Sequence, residues 1–265
     1  MSPTSQIIVA VAMMFVIMLL VWVIQRVTQN AGISDVAWAG NLGLLALFYW
    51  ATLETDAPKS LLARPGIIAL LAAGWSFRLA IFLFFNRVWG QSEDGRYQTL
   101  RRNQGPRAQT FFLGLFQLQG LLDVCFSLPF LIAMLIPRQT LSDLDHFGIA
   151  IWLVAVLGET ISDWQLARFR SRPENRGQTC RKGLWKYSRH PNYFFEWLHW
   201  WAYVCLAAGS EFWMITLLAP SLMIYLIFRV SGIPLNESQA LLSRGNDYRD
   251  YQRTTNAFYP WFPSL

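Results

Sequence analysis

Long apolar stretches recur along the whole chain, and short polar segments separate them. A helix needs about 20 mostly apolar residues to cross a bilayer. The pattern therefore predicts an all-α, polytopic integral membrane protein of about seven transmembrane helices, built as a single membrane domain over residues 1–265. The predicted spans are 6–25, 36–53, 66–85, 111–136, 147–167, 193–209 and 212–230.

One of these spans contains a proline at position 129. Neighbouring helices can satisfy the carbonyl group that a proline frees. We therefore expect a kinked but continuous helix, and two shorter pieces are the weaker alternative because half of the segment is too short to cross. The first span is expected to stay uncleaved, since Arg26 follows it and no basic segment precedes it.

Composition and charge support this class and orient the spans. The chain is 54% hydrophobic and 14% charged, against about a quarter charged in soluble proteins. Basic residues concentrate in 86–110, in 168–192 and after residue 230. The positive-inside rule then places these segments and the C-terminus in the cytoplasm, with the N-terminus outside. The membrane is a bacterial inner membrane or the endoplasmic reticulum.

Several common chemistries are not supported. Cys125, Cys180 and Cys205 are scattered, which indicates neither a disulfide framework nor a thiolate metal site. Three histidines are too few for a membrane di-iron enzyme, so no metal is predicted. The glycine-rich motifs of Rossmann and P-loop sites are missing. Topology already explains the basic loops, so no nucleic-acid partner is expected.

Ionisable residues inside the spans are costly, so each one is a hypothesis about function. Glu159 and Asp163 are four residues apart, and Arg170 follows seven later, so all three share a helical face. Two carboxylates above an arginine exceed what one interhelical ion pair needs, which favours a ligand-lining face. The stripe of Gln119, Asp123 and Ser127 is explained equally well by interhelical hydrogen bonds and by a substrate path.

The third predicted span and the residues directly after it carry a further set of polar side chains. Arg78 lies within it, and Asn86 and Arg87 lie at its end. Two guanidinium groups on one helix suit a phosphate-bearing ligand.

The segment "GLWKYSRHPNYFFEWLHWW" at 183–201 changes from basic to apolar at Pro191. Proline is favoured at the first position of a helix, with His190 as the preceding cap. Free backbone N–H groups at such a start bind anions. Aromatic and basic anchors at a membrane surface are the plainer explanation, but they do not account for Glu196. The residues predicted to surround a phosphate-containing cofactor here are Tyr187, Arg189, His190, Asn192, Tyr193 and Glu196.

This segment resembles the C-terminal signature of the steroid 5-alpha-reductase-like membrane proteins, in particular their DUF1295 branch. Further matching stretches are "SDVAW" at 34–38, "WSFRL" at 75–79, "EDGRYQTLR" at 93–101, "SDWQLARF" at 162–169 and "YRDYQRTTNAFYPWFP" at 248–263. The superfamily also includes delta-14 sterol reductases and isoprenylcysteine carboxyl methyltransferases. Its cytoplasmic-side cavity holds NADPH in the reductases and S-adenosylmethionine in the methyltransferases.

The resemblance implies an NADPH-dependent reductase of an enone-type C=C bond in a hydrophobic, steroid- or lipid-like substrate that enters from the bilayer. Residues 1–110 would line the substrate side and 111–265 the cofactor side. The glutamate and tyrosine that hold the steroid carbonyl in steroid 5-alpha-reductases have no match here, since Trp75 occupies the place of the tyrosine, and Asp35 and Tyr97 are the best substitutes. Most relatives have glycine where Phe195 stands. The cofactor set is Arg78, Asn86, Arg87, Glu159, Asp163, Arg170, Tyr187, Arg189, His190, Asn192, Tyr193 and Glu196.

Two other functions stay open. An S-adenosylmethionine-dependent methyltransferase shares the Arg-His-Pro-Asn-Tyr segment, and its cofactor has no phosphate for Arg78, Arg87 or Arg170 to bind. A non-enzymatic membrane scaffold or lipid-binding protein would use the polar residues for folding alone. The tail from residue 236 is amphipathic, and it is expected either to cover the site, with Tyr248 and Tyr251 facing the cofactor, or to lie on the membrane surface.

Overall fold

The computed structural model describes residues 1–54, 59–138, 140–230 and 232–264. Within these ranges the chain is helical and contains no strand. The α-helices are α1 (Pro3–Thr28), α2 (Ile33–Thr52), α3 (Arg64–Leu83), α4 (Gly95–Gln104), α5 (Ala108–Met134), α6 (Asp143–Arg170), α7 (Pro191–Leu206), α8 (Leu218–Tyr225), α9 (Ile233–Arg244) and α10 (Asn246–Thr254).

Five described segments are long and apolar enough to cross a membrane, which makes the chain a multi-pass membrane protein. The helices at the second and sixth predicted spans, α2 and α7, form where expected but are not among these five. The five segments are Pro3–Thr28, Arg64–Val88, Gly95–Met134, Asp143–Arg170 and Trp213–Arg244, the last of which runs across residue 231, outside the described ranges.

Helix starts and interruptions follow local chemistry. Pro191 is the first residue of α7, as predicted, because a helix start does not need the N–H group that proline lacks. Pro129 lies inside an unbroken α5, so the continuous helix is confirmed. The span predicted at 212–230 is not one regular α-helix. It consists of a 3-10 turn at Trp213–Leu217, α8, and a π-helical turn at Leu226–Val230.

The chain divides into two units. Unit 1 comprises Met1–Ser142 and Leu206–Thr216, and unit 2 comprises Asp143–Cys205 and Leu217–Leu265. Each unit carries its own set of predicted site residues.

Hydrogen bonds between α2 and α5 hold the helices of unit 1 together. The Asn41 amide donates to Oδ2 of Asp123 over 2.8 Å, and the hydroxyl groups of Tyr49 and Ser127 are 2.9 Å apart. Two members of the polar stripe on α5 therefore bond to a neighbouring helix. The interhelical explanation of the stripe accounts for these contacts.

Candidate functional site

In unit 2, helices α6 and α7 face each other through two matched contacts. Gly158 of α6 lies against the ring of Phe195, and a Cβ atom built on that glycine would come within 2.4 Å of the ring. Further along, the amide nitrogen of Asn192 lies 3.5 Å from Oδ1 of Asp163, at the long end of hydrogen-bond range. Phe195 thus fills a notch on α6, which gives this aromatic residue a packing role.

The acidic residues predicted for this face are at the helix pair. Glu159 is 2% exposed and Asp163 is 7% exposed, whereas Arg170 at the end of α6 is exposed. Glu196 is half-buried on α7. The face therefore runs from buried carboxylates to a solvent-accessible guanidinium, in the order that the spacing predicts.

A short loop before α7 is fixed to the end of α6. Gly183 has φ +61, and any side chain there would meet the amide of Gln165. That amide oxygen accepts the backbone N–H of Leu184 over 2.9 Å, and the Trp185 indole donates to the carbonyl of Ser162 over 2.9 Å. These bonds set the position from which Pro191 starts the helix.

The carboxylate of Glu237 on α9 forms hydrogen bonds with residues just before α7 and with residues of α10. Its Oε1 accepts from Nε of Arg189 over 2.7 Å and lies 3.2 Å from Nε2 of His190. The Gln252 amide donates to Oε2 over 2.7 Å, and the Tyr248 hydroxyl lies 3.4 Å from Oε1. Arg189 was predicted to be among the residues around a phosphate-containing cofactor, and its guanidinium pairs with a carboxylate of the chain.

Burial and charge perturb the titrating groups of this cluster. Burial lowers the pKa of His190 and outweighs its bond to Glu237, which acts the other way. Burial, aided by the charge of Glu237, raises the pKa of Tyr248. The His190 ring stacks on Tyr193 at 5.5 Å and 12°, and the Tyr193 hydroxyl accepts from the Asn236 amide over 2.6 Å. Aromatic rings with hydrogen-bonding groups therefore lie at the α7 N-terminus.

The C-terminal tail packs on the loop before α7. The backbone N–H of Arg189 donates to the carbonyl of Asn256, and that of Trp261 donates to the carbonyl of Tyr187, both over 2.9 Å. The Tyr251 hydroxyl bonds the carbonyls of Trp185 and Ser188. Tyr251 is thus a structural contact of the loop, while ligand contact by the tail stays a prediction.

In unit 1, the two predicted catalytic residues touch each other. The Tyr97 hydroxyl donates to Oδ1 of Asp35 over 2.6 Å and lies 3.1 Å from the hydroxyl of Ser34. Oδ2 of Asp35 forms salt bridges with Arg96 over 2.9 Å and with Arg87 over 3.0 Å. Sequence reasoning assigned Arg87 to cofactor phosphate and missed Arg96, whose nearness to Asp35 depends on folding across 61 residues.

The remaining residues of the predicted set are placed as follows. Arg78 is half-buried on α3. Asn86 is exposed, and its amide donates to the carbonyl of Phe82 over 2.9 Å. Tyr187 packs edge-on against Phe262 at 5.7 Å. The described residues contain no group of three or more His, Cys, Asp or Glu that could hold a metal ion.

Comparison with known families decides the membership of the chain. The model of the family described as "Protein of unknown function (DUF1295)" matches residues 21–255. The chain belongs to this family. Neither the search of curated proteins nor the search of solved structures found a match. The resemblance of the Arg-His-Pro-Asn-Tyr segment to the DUF1295 branch is thereby confirmed.

Glu237 is the main residue of this DUF1295 protein that sequence reasoning gave no role of its own. It lies 47 and 48 residues from its partners His190 and Arg189, so no local pattern connects them. The sequence gives one signal for such a role, which is the position of this acidic residue in an amphipathic segment near basic residues. Such a residue needs a cationic partner once it is partly buried.

Proposed function

We propose that this DUF1295 protein is an NADPH-dependent reductase of an enone-type C=C bond in a hydrophobic, steroid- or lipid-like substrate that enters from the bilayer. The observation that carries the proposal is the meeting of Asn192 with Asp163 at the start of α7. There an amide and a carboxylate from two helices lie together next to the buried Glu159. The motif resemblance adds the cofactor class.

The residues of unit 2 fit a nicotinamide nucleotide. Carboxylate and amide groups at Asp163 and Asn192 can bond ribose hydroxyl groups and a carboxamide. The exposed guanidinium of Arg170 and the N–H groups at the start of α7 suit phosphate. When bound, NADPH would supply a hydride to the β-carbon of the enone. The chain would orient the nucleotide through these groups.

Tyr97 of unit 1 is the acid in this proposal. Tyr97 is 5% exposed and has a hydroxyl hydrogen directed at Asp35. In the proposed reaction this phenol would turn its hydrogen bond toward the substrate carbonyl, where developing negative charge accepts it more strongly. Stabilisation of this type typically contributes about 3 kcal/mol. Asp35, fixed by Arg87 and Arg96, would hold the phenol in position.

One observation favours a second candidate, the S-adenosylmethionine-dependent methyltransferase. Arg87 and Arg189 both pair with carboxylates of the chain, which leaves fewer guanidinium groups for phosphates. S-adenosylmethionine has no phosphate, so its binding does not require them. This candidate would use the same carboxylates, Asp163 and Glu196, for ribose and ammonium groups.

The experiment compares the two cofactors on the purified full-length chain in lipid nanodiscs. Thermal unfolding is measured with NADPH and, separately, with S-adenosylmethionine, and NADPH oxidation is followed with a hydrophobic enone. We expect NADPH to raise the unfolding temperature, and Arg170→Ala to weaken its binding about tenfold, or 1.4 kcal/mol. Arg172→Ala removes another exposed charge two residues away and serves as the control.

Three other results would contradict the proposed reductase or its site. Stabilisation by S-adenosylmethionine alone would replace the reductase with the methyltransferase. Stabilisation by neither cofactor, with Asp163→Ala changing folding yield only, would support the scaffold. Equal losses in the Arg170 and Arg172 variants would show a general charge effect and remove Arg170 from the site.

A further inference from the structure

A buried carboxyl group in the middle of α5 has a hydrogen-bond partner at only one of its two oxygens, among the residues that the structure describes. Asp123 is 0% exposed, and Oδ2 accepts from the Asn41 amide over 2.8 Å. Oδ1 is also buried and, in the described part of the chain, has no hydrogen-bond partner. Asn41 directs its amide group to Sδ of Met18 as well, over 3.5 Å, so it has no further hydrogen to offer.

A second acceptor lies one helical turn away. Oε1 of Gln119 is buried and, among the residues that the structure describes, also lacks a hydrogen-bond partner. Residues four apart share one face of a helix, with Cβ atoms about 6 Å apart. Gln119 and Asp123 therefore present two acceptors on adjacent turns of α5, and neither has a donor.

The surroundings cannot supply the missing donor. On α1, Met14 and Met18 pack against Gly120 of α5, which places thioether and apolar groups there. The Ser127 hydroxyl on the next turn already bonds Tyr49 and the carbonyl of Val124. Both acceptors therefore have to be satisfied by something other than these side chains.

Few titratable or charged groups of the packed helices come near this position. Tyr49 of α2 bonds Ser127, and Cys125 follows Asp123 by two residues on α5. Arg64 of α3 donates to the carbonyls of Ala133 and Leu206. In the described ranges Asp123 forms no salt bridge, and Asn41 is its one hydrogen-bond partner.

We propose that Asp123 is a proton-binding site in the transmembrane core of unit 1, where its carboxyl group is a neutral acid whose O–H donates from Oδ1 to Oε1 of Gln119. One proton supplies both acceptors and removes a charge that the apolar surroundings would destabilise. A hard metal ion fits less well, because such ions take about six or more oxygen ligands. Two side-chain oxygens are present here.

The site links protonation to the packing of α1, α2 and α5. When unfolding separates these helices and brings water to this position, Asp123 releases its proton at neutral pH. The packed state therefore holds more protons than the separated state, and its stability falls as the pH rises. This inference is independent of the proposed reductase activity.

The test uses the full-length chain in nanodiscs and the variant Asp123→Asn, whose amide imitates a neutral acid. Thermal unfolding is measured between about pH 6 and pH 9, the range over which an ordinary aspartate stays ionised. We expect the wild-type unfolding temperature to fall with rising pH, and Asp123→Asn to lose that dependence. Asp143→Asn removes an exposed carboxylate on α6 and is expected to behave as wild type.

Infrared spectra keep the proposal testable if Asp123→Asn does not fold. Wild-type protein with ¹³C-labelled aspartate should show the C=O band of a protonated carboxyl at neutral pH. Gln119→Leu should shift that band, whereas Gln117→Leu, whose side chain bonds the carbonyl of Phe15 instead, should not. The absence of the band would overturn the proposal.

Two other results would also overturn it. One is a pH dependence that is the same in wild type, Asp123→Asn and Asp143→Asn. The other is an unfolding temperature that falls when sodium is replaced by choline in wild type but not in Asp123→Asn. That second result would assign the site to a metal cation.

Discussion

The hydroxyl group of Tyr97 donates a 2.6 Å hydrogen bond to Oδ1 of Asp35, while Oδ2 of the same carboxylate pairs with Arg87 and Arg96. Both oxygens are therefore in use, and the phenol is held by a carboxylate that two cations fix in place. The contact joins the N-terminus of α2 to α4. It places a phenolic hydrogen in a mostly buried position of unit 1.

Tyr97→Phe removes that hydrogen and little else. In the proposed reductase we expect kcat for an enone substrate to fall about 100-fold, as general-acid groups typically contribute. The free energy of unfolding should fall by about 2 kcal/mol, because the lost hydrogen bond ends on a charged carboxylate. NADPH oxidation and thermal unfolding measure the two effects. Tyr225→Phe serves as the control, since that tyrosine is 57% exposed. Unchanged turnover in Tyr97→Phe would exclude the phenol as the acid.

Sequence reasoning placed the helices well because apolar length and proline position are local signals. The start of α7 at Pro191 and the unbroken α5 follow from a few neighbouring residues. The π-helical turns at Phe84–Val88 and Leu226–Val230 were not predicted, because one extra residue per turn leaves no mark on the apolar pattern. Helical regions were thus predictable, but their irregular ends were not.

Sequence reasoning named candidate site residues but not the partners that the structure gives several of them. Asp35 and Tyr97 were named as substitutes for the family's carbonyl-binding groups, and the structure brings them together. Arg87 and Arg189 were identified as functional cations, yet their carboxylate partners lie 52 and 48 residues away. A buried charge requires a partner, but the sequence alone does not show which of several carboxylates comes close.

The buried histidine of the α7 N-terminus should make stability depend on acidity. Burial lowers the pKa of His190 in the folded protein, so the unfolded chain holds more protons below the ordinary value of 6.5. Glu237 opposes the shift, while Arg189 and Arg244 add to it. Stability should therefore fall as the pH drops through about 6.5.

Thermal unfolding of wild type and His190→Gln across this range checks the sign. The variant should lose much of the acid sensitivity, whereas His146→Gln, at an exposed histidine, should keep it. A wild-type protein that becomes more stable on acidification would show that the pair with Glu237 outweighs burial.

Arg64 should be one of the most sensitive positions of unit 1. Its side chain is 0% exposed, and its guanidinium donates to the carbonyl of Ala133 over 2.6 Å and to that of Leu206. Both carbonyls are near helix C-termini, where the last carbonyl groups lack partners within the helix. Arg64→Met would leave them unsatisfied and should cost about 3 kcal/mol.

Denaturant titration of the detergent-solubilised protein measures this loss. Arg107→Met serves as the comparison, since that arginine is exposed and its replacement should change stability by less than about 0.5 kcal/mol. A neutral effect of Arg64→Met would mean that water or neighbouring donors replace the guanidinium.

The tail should stabilise unit 2 through one buried ring. Phe258 is 1% exposed and packs edge-on against Phe194 at 5.7 Å, Trp197 at 5.8 Å and Phe228 at 5.2 Å. Phe258→Ala should cost about 3–5 kcal/mol, because a ring in a packed cluster leaves a cavity. Phe262→Ala, where the ring is 76% exposed, should cost about 1 kcal/mol or less.

Limited proteolysis and thermal unfolding of the two variants distinguish a tail that anchors the loop before α7 from one that merely lies on it. Equal proteolysis of both would mean that the backbone bonds from Asn256 and Trp261 are sufficient to hold the tail.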